Sequence, residues 1–145
     1  MKAKDIMTAK PESVPPGTNI ADVARIMRDM NVGVVPVADD DRLLGVITDR
    51  DITIRVTAAG MAPQDVTVQD FMSPNVVTVS PDDDVEDVRK LMADNQIRRV
   101  MVTDSDKLVG VISLGDVALN EKDKDARTGE VLEKVSEPTN LNRMS

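Results

Sequence analysis

The sequence predicts an α+β fold made of two copies of one β-α-β-β-α unit, paired about a pseudo-twofold axis. Residues 4–55 align without a gap on residues 69–120 at a constant offset of 65, and 17 of the 52 aligned pairs are identical. Each copy has an amphipathic helical stretch, followed by two β-rich runs that an acidic turn connects. One small sheet with helices on a single side leaves an apolar face uncovered, so we expect the two copies to pair.

Each copy is predicted to open with a short strand, at residues 13–14 and 76–79, that enters a proline-containing turn. A helix follows at residues 20–30 and at residues 85–95. Its apolar residues recur at three- and four-residue spacing. In the second copy, Asp83 and Glu86 have the spacing of a capping box at the start of the helix. The predicted buried stripe of the first helix consists of Ile20, Val23, Ala24, Met27 and Met30.

The two β-rich runs of the first copy are residues 33–37 and 43–47, and a second helix is predicted to begin near Thr48 and to run through Val56. Gly60 is expected to mark the end of that helix. The predicted organisation is therefore a first unit at residues 1–57, a linker at 58–68, a second unit at 69–120 and a charged tail at 121–145. The tail contains a short helical stretch at residues 129–136 with one apolar edge.

Composition excludes most enzyme chemistry. The chain has a formal net charge of −8 and contains no cysteine and no histidine. Thiol nucleophiles, histidine bases and nearly all transition-metal sites are thereby absent, so we expect no enzyme and no metal site. The acidic balance and a single aromatic residue, Phe71, argue against nucleic acid as a partner. No apolar run is long enough for a membrane span, and no signal peptide is evident, so a cytoplasmic protein is expected.

Two acidic clusters contain the carboxylates that a metal site would need. Residues 39–41 and 82–84 are each three consecutive aspartates. Neither cluster has the glycine and the distal glutamate of a calcium-binding loop. A tight turn and a helix start are enough to explain them.

The same short pattern closes both copies. It reads Gly-Val-Ile-Thr-Asp-Arg-Asp from Gly45 to Asp51, and Gly-Val-Ile-Ser-Leu-Gly-Asp from Gly110 to Asp116. A glycine opens a strand, a hydroxyl residue ends it, and an aspartate follows three residues later on the next helix. The hydroxyl and carboxylate are Thr48 with Asp51, and Ser113 with Asp116. This spacing is also that of an N-terminal capping box, so a ligand site and a purely structural cap both remain open.

This pattern resembles the nucleotide-binding motif of CBS (cystathionine β-synthase) domains, and the paired copies look like a Bateman module, one CBS pair. Openings that read Asp-Ile-Met-Thr from Asp5 and Asp-Phe-Met-Ser from Asp70 are similar to that family, as is the run at residues 97–100. The resemblance covers residues 4–120 and is strongest to short stand-alone bacterial CBS-pair proteins. Met101 departs from the family, which often has proline there, as the first copy does at Pro36.

The resemblance implies that AMP, ADP, ATP or S-adenosylmethionine binds in clefts between the units. It assigns Thr48 and Ser113 to the phosphates, and Asp51 and Asp116 to the ribose hydroxyls. The chemistry is consistent, because hydroxyl and helix-start N–H groups are phosphate donors and a carboxylate accepts from a diol. The remaining candidate ligand-site residues are Gly45 and Gly110, for close backbone approach, and Arg50 and Arg99, as phosphate contacts or as surface cations.

The function predicted on this basis is that of a regulatory ligand-sensing module that acts in trans on an unidentified protein effector, because no effector domain is present. The resemblance also implies a homodimer. No cofactor is expected, apart from a Mg²⁺ that arrives with ATP and reaches Asp49 or Asp51. The alternative is a ligand-free scaffold or oligomeric interaction protein whose capping boxes are purely structural.

Overall fold

The computed structural model describes residues 1–120, and the predicted helix at residues 129–136 lies outside the described residues. Within them the chain forms two compact units. In the structure, the first unit is Glu12–Val76, and the second unit combines Met1–Pro11 with the described residues from Val77 to Asn120. Each unit has its own hydrophobic core of buried residues.

Helices and strands occur in both units, which confirms the mixed α+β class. The helices are α1 (Ala3–Ile6), α2 (Ile20–Met30), α3 (Asp49–Asp51), α4 (Val85–Asn95) and α5 (Leu114–Asn120), with a π-helix at Ile52–Thr57 and 3-10 turns at Pro63–Asp65 and Val68–Asp70. The strands are β1 (Thr8–Ala9), β2 (Val34–Asp39), β3 (Arg42–Thr48), β4 (Thr78–Val79), β5 (Arg99–Asp104) and β6 (Lys107–Ser113).

The sheet of the first unit is the antiparallel pair β2–β3, with one isolated bridge on each side. Val14 pairs with Val37 of β2 in the parallel sense, and Ser73 pairs with Val46 of β3 in the antiparallel sense. The strand predicted at residues 13–14 is thus reduced to a single bridge. Hydrogen bonds from the Val14 N–H to the Pro36 carbonyl (3.0 Å) and from the Ala38 N–H to the Val14 carbonyl (2.9 Å) hold it in place.

The second unit repeats this arrangement with β4 parallel to β5, β5 antiparallel to β6, and β1 antiparallel to β6. Val79 of β4 corresponds to Val14 at the offset of 65, and Ser73 corresponds to Thr8 of β1. The opening segment of each repeat therefore lies on the sheet of the other repeat. Each sheet edge gains backbone partners for its unpaired N–H and C=O groups in this way.

Backbone hydrogen bonds and ion pairs hold the opening segment of the chain, Met1–Pro11, against the rest of the second unit. The Ala3 N–H donates to the Asp83 carbonyl (2.7 Å), and the Ala3 side chain is fully buried. Lys4 and Lys2 lie 3.4 and 3.5 Å from the Asp82 carboxylate. Their hydrogen bonds and charges hold the pKa of Asp82 below its ordinary value.

The long helices have the predicted bounds but differ in detail from expectation. Ile20, Val23 and Met27 are buried on α2, whereas Ala24 is half-buried and Met30 is 49% exposed. The predicted stripe was too wide because Met30 is in the last turn, just before the left-handed residue Asn31 (φ 54°) that ends the helix. The helix therefore buries a narrower face than the spacing alone suggests.

The predicted capping box at Asp83 is wrong. The N-cap of α4 is Asp84, whose carboxylate accepts from the Glu86 N–H (3.2 Å). Asp83 instead accepts from the Ser80 N–H (2.9 Å) and closes the preceding turn. Both aspartates can serve as caps, and the turn at Ser80 decides which of them stands at the helix start.

The segment after β3 is only partly as predicted. A helix does begin directly after Thr48, but residues Ile52–Thr57 wind as a π-helix, and the Ala58 N–H donates to the Thr53 carbonyl (2.9 Å). Gly60 has φ +76° and lies three residues beyond Thr57. The predicted linker contains the 3-10 turn Pro63–Asp65 and ends at Val68, which is fully buried in the core of the first unit.

Candidate functional site

The first candidate junction connects β3 to α3, and its hydroxyl and carboxylate form a complete capping box. The Thr48 Oγ1 accepts from the Asp51 N–H (3.1 Å), and the Asp51 Oδ2 accepts from the Thr48 N–H (3.0 Å). The Asp51 side chain is only 15% exposed. The cap that the sequence left open as an alternative is therefore formed in this structure.

The second junction connects β6 to α5 and has the same reciprocal bonds. The Asp116 Oδ2 accepts from the Ser113 N–H (2.8 Å), and the Ser113 Oγ accepts from the Asp116 N–H (3.2 Å). Both side chains belong to half-buried residues. The two repeats thus place a hydroxyl and a carboxylate in matching positions at the end of a strand.

The helix-start N–H groups expected to face phosphate are already engaged at the first junction. The Asp49 N–H donates to the Gly33 carbonyl (3.0 Å), the Arg50 N–H to the Asp49 Oδ1 (2.8 Å), and the Asp51 N–H to the Thr48 Oγ1. The second junction has no counterpart of the Asp49 carboxylate, because Leu114 occupies that position. A phosphate at the first junction would meet a fixed negative charge that the second junction lacks.

Gly45 and Gly110 have a structural reason to be glycine. A Cβ at Gly45 would lie 2.6 Å from the Ser73 carbonyl oxygen and 3.0 Å from the Met72 Sδ. A Cβ at Gly110 would collide with the Met7 side chain. The close backbone approach predicted at these glycines is therefore made by the chain's own Met-Ser and Met-Thr segments, and a ligand role for the glycines stays a prediction.

The two candidate phosphate-contacting arginines occupy different environments. Arg50 is exposed on α3, whereas Arg99 is half-buried at the start of β5. Arg99 is the direct cross-strand partner of Ser113, so the two side chains leave the same face of the sheet. The corresponding pair in the first unit is Val34 with Thr48. Only the second junction therefore has a cation beside its hydroxyl residue in this register.

Sequence reasoning missed Arg55, which contacts the first junction. Its Nη2 lies 3.7 Å from the Asp51 Oδ1, and its Nη1 donates to the Phe71 carbonyl (2.8 Å). The spacing of Asp51 and Arg55 by four residues was a readable signal, because side chains so spaced on a helix are neighbours. The residue at the corresponding position of the second repeat is Asn120.

Residues 1–120 contain no group of three or more acidic side chains placed to hold a metal ion. None of the helices among these residues is both long enough and apolar enough to cross a bilayer.

Comparison with known proteins defines the class. The family model described as CBS domain matches residues 3–57 and 68–121. The chain therefore belongs to the CBS-domain family and carries a pair of CBS domains. It is 39% identical over 133 residues to the CBS domain-containing protein YhcV of Bacillus subtilis, covering 92% of this chain and 94% of that protein. It is also 34% identical over 117 residues to Hypoxic response protein 1 of Mycobacterium tuberculosis, covering 80% and 82%.

Solved structures agree with this assignment. Hypoxic Response Protein I, solved with two coordinated zinc ions, matches with a TM-score of 0.75 at 32% identity, covering 82% of this chain and 98% of that chain. CBSX2 in complex with AMP matches with a TM-score of 0.73 at 25% identity, covering 86% and 98%. CBS domains generally act as regulatory ligand-binding modules, and stand-alone CBS pairs are not typically enzymes.

Proposed function

We propose that this protein is a sensor that binds an adenine nucleotide at one or both of its strand–helix junctions and regulates a partner protein in trans. The observation that carries the proposal is the carboxylate of Asp116. It is half-buried, its Oδ2 completes the capping box, and its Oδ1 has no partner among residues 1–120. A cap uses only one carboxylate oxygen, so the second oxygen remains available as an acceptor for a ligand.

A ribose is a suitable group for that acceptor. Its vicinal hydroxyls offer two O–H donors, and an ionised carboxylate can only accept. Arg99 beside Ser113 supplies the positive charge that a phosphate requires. The chain has no tryptophan, tyrosine or histidine for stacking, so the adenine would be held by aliphatic side chains and backbone groups. The relative solved with AMP supports this ligand class.

The ligand class comprises AMP, ADP, ATP and S-adenosylmethionine, all of which carry an adenosine group. We expect no resident cofactor. A Mg²⁺ would enter only with ATP, as the counterion of its phosphates.

The first test is the ultraviolet spectrum of the purified protein. Because the chain contains no tryptophan and no tyrosine, a co-purified adenine compound would dominate the absorption. Denaturation followed by mass spectrometry would identify the released molecule. An adenosine compound is the expected result. A protein without bound nucleotide would then be titrated calorimetrically with AMP, ATP and S-adenosylmethionine, and no heat with any of them would contradict the proposal.

The binding residues are tested with a matched control. Asp51→Ala and Asp116→Ala together should weaken binding of the best ligand at least about tenfold, because a hydrogen bond to a charged group contributes about 1.5–3 kcal/mol. Asp83→Ala removes a carboxylate that makes the same type of bond, to the Ser80 N–H three residues earlier. The control should cost similar stability and leave affinity unchanged. Equal loss of affinity in both variants would show that stability, not ligand contact, is being measured.

The alternative function, a ligand-free scaffold, is favoured by one specific observation. Both capping boxes are complete without a ligand. Under this alternative, the aspartate variants lower helix stability but affect neither nucleotide binding nor partner binding. Affinity capture of partners with and without AMP separates the two functions, because a sensor must have different affinity for its partner in the two states.

The homodimer belongs to the same proposal. Ile54 and Leu119 occupy corresponding positions in the two repeats, and they are 52% and 78% exposed. Large apolar side chains repeated in this way are suitable for contact with a second copy of the chain. Light scattering across a range of concentrations should detect a dimer, and Ile54→Lys with Leu119→Lys should convert it to a monomer. An unchanged mass would exclude these residues from the dimer contact.

A further inference from the structure

The two junctions share a backbone arrangement but differ in what surrounds the carboxylate. At the first junction, the Asp51 Oδ2 is used by the Thr48 N–H and the Oδ1 lies 3.7 Å from the Arg55 guanidinium. Both oxygens of Asp51 therefore have a partner inside the chain. Arg55 is itself anchored, because its Nη1 donates to the Phe71 carbonyl at 2.8 Å.

The second junction has no counterpart of the Arg55 contact among the described residues. The offset of 65 places Asn120 where Arg55 would be, and Ile6 where Phe71 would be. The Asp116 Oδ1 has no partner in the part of the chain that the structure describes, whereas its Oδ2 accepts from the Ser113 N–H. A ligand hydroxyl can therefore reach Asp116 without displacing an internal contact.

The charged residues near the expected phosphate position also differ between the two junctions. Arg99 stands across the strand pair from Ser113, and Val34 stands across from Thr48. The first junction adds the Asp49 carboxylate, which accepts from the Arg50 N–H. Arg99 adds a positive charge beside the hydroxyl of the second junction, whereas at the first junction the charge of Asp49 is accompanied by those of Arg50 and Arg55.

We propose that Arg55 makes the two nucleotide sites unequal in affinity. Because the Arg55 guanidinium contacts the Asp51 carboxylate, the Asp116 junction binds nucleotide more tightly than the Asp51 junction does. This inference rests on the proposed function, because it assigns both aspartates to the ribose. A ligand at Asp51 must first separate that carboxylate from Arg55. The Arg55 side chain is 46% exposed and the two charged atoms lie 3.7 Å apart, so solvent screens the contact and the effect is modest, about two- to fivefold in affinity.

The experiment isolates one site at a time with AMP as the probe. Asp116→Ala leaves only the Asp51 junction, and Arg55→Asn is added to install the residue that the second repeat has at this position. Calorimetric titration with AMP should show binding about two- to fivefold tighter in D116A/R55N than in D116A. Where D116A alone shows no binding, the appearance of binding in D116A/R55N supports the proposal.

Two controls belong to this titration. Arg25→Asn in the D116A background removes the same charge from the first unit, at a side chain that pairs with Asp22 on α2. It should leave AMP affinity unchanged. In the reciprocal variant, Asp51→Ala isolates the Asp116 junction, and Asn120→Arg should weaken AMP binding there about two- to fivefold. Circular dichroism confirms folding, and Asp116→Asn, which keeps an acceptor for the Ser113 N–H, replaces D116A if that variant is unfolded.

The outcomes separate the inference from the function on which it rests. If the wild-type protein binds AMP but R55N leaves affinity unchanged or weakens it, the role of Arg55 is overturned and nucleotide sensing is not. Weaker binding would mean that Arg55 contacts the ligand. If neither the wild-type protein nor any variant binds AMP, ATP or S-adenosylmethionine, the proposed function fails and the inference fails with it.

Discussion

The two repeats have the same backbone plan and different side chains at the positions that control charge. In both repeats, a strand ends at a hydroxyl residue, and the next helix begins with a reciprocal cap. Arg55 and Val34 in the first repeat correspond to Asn120 and Arg99 in the second. A duplicated motif therefore specifies local backbone geometry, whereas the side chains beside it give the two copies different charges.

The long helices α2 and α4 also share a backbone plan and differ in their charged side chains. On α4, Arg89 is 6% exposed and pairs with Glu86 through bonds of 2.6 and 3.1 Å. The corresponding residues of α2 are Ala24 and Ala21. One helix has an ion pair in a buried position where the other has two methyl groups. Variants that exchange these features test how far each repeat depends on its own side chains.

The largest expected effect is that of removing half of the buried ion pair. Glu86→Ala removes two charge-assisted hydrogen bonds to the Arg89 guanidinium and should destabilise the protein by about 3 kcal/mol. The double variant with Arg89→Ala has the residues of the first repeat and should recover most of that loss. Urea unfolding measures both. A double variant at least as unstable as Glu86→Ala would show that Arg89 packs favourably without its carboxylate.

A smaller effect is expected at the two motif glycines. Gly45→Ala places its Cβ against a backbone carbonyl, that of Ser73, which cannot move without breaking the Val46–Ser73 bridge. We expect a loss of about 2 kcal/mol from this overpacking. Gly110→Ala meets only the flexible side chain of Met7 and should cost about half as much. Thermal unfolding of the two variants, with Gly17→Ala as a control in open space, checks the order.

Arg99→Val makes the second junction resemble the first on its phosphate side. Loss of one charge-assisted contact of about 1.4 kcal/mol should weaken AMP binding about tenfold. Adenosine, which has no phosphate, should bind both proteins equally. Calorimetry with the two ligands measures the difference. Equal weakening of AMP and adenosine would show that Arg99 supports the strand and does not contact phosphate.

The smallest effect is expected at the helix ends. Asn31 and Gln96 end α2 and α4 with φ of 54° and 55°. Asparagine tolerates this left-handed conformation better than glutamine does. Gln96→Gly should therefore stabilise the protein by about 0.5 kcal/mol, the relief of strain less the entropy of glycine. Asn31→Gly should be nearly neutral, and stabilisation of equal size in both would contradict this reasoning.

Much of the fold could be predicted because its signals are local. The bounds of α2 and α4 follow from apolar spacing, and the reciprocal caps follow from a hydroxyl residue and an aspartate three residues apart. An error arose where two local motifs compete for the same residue. Asp83 had the right spacing to cap α4, but the turn at Ser80 uses it, and Asp84 caps the helix.

By itself, the sequence determined the duplication, the long helix and the antiparallel strand pair of each repeat and the two hydroxyl–aspartate motifs, because these depend on spacing along the chain. Only the tertiary structure decided that each opening segment packs on the sheet of the other repeat, since strand pairing joins residues far apart in sequence. It also decided that Gly45 and Gly110 face methionines and that Arg55 reaches both Asp51 and Phe71. These contacts depend on which surfaces meet once the sheets have formed, and spacing along the chain does not contain that information.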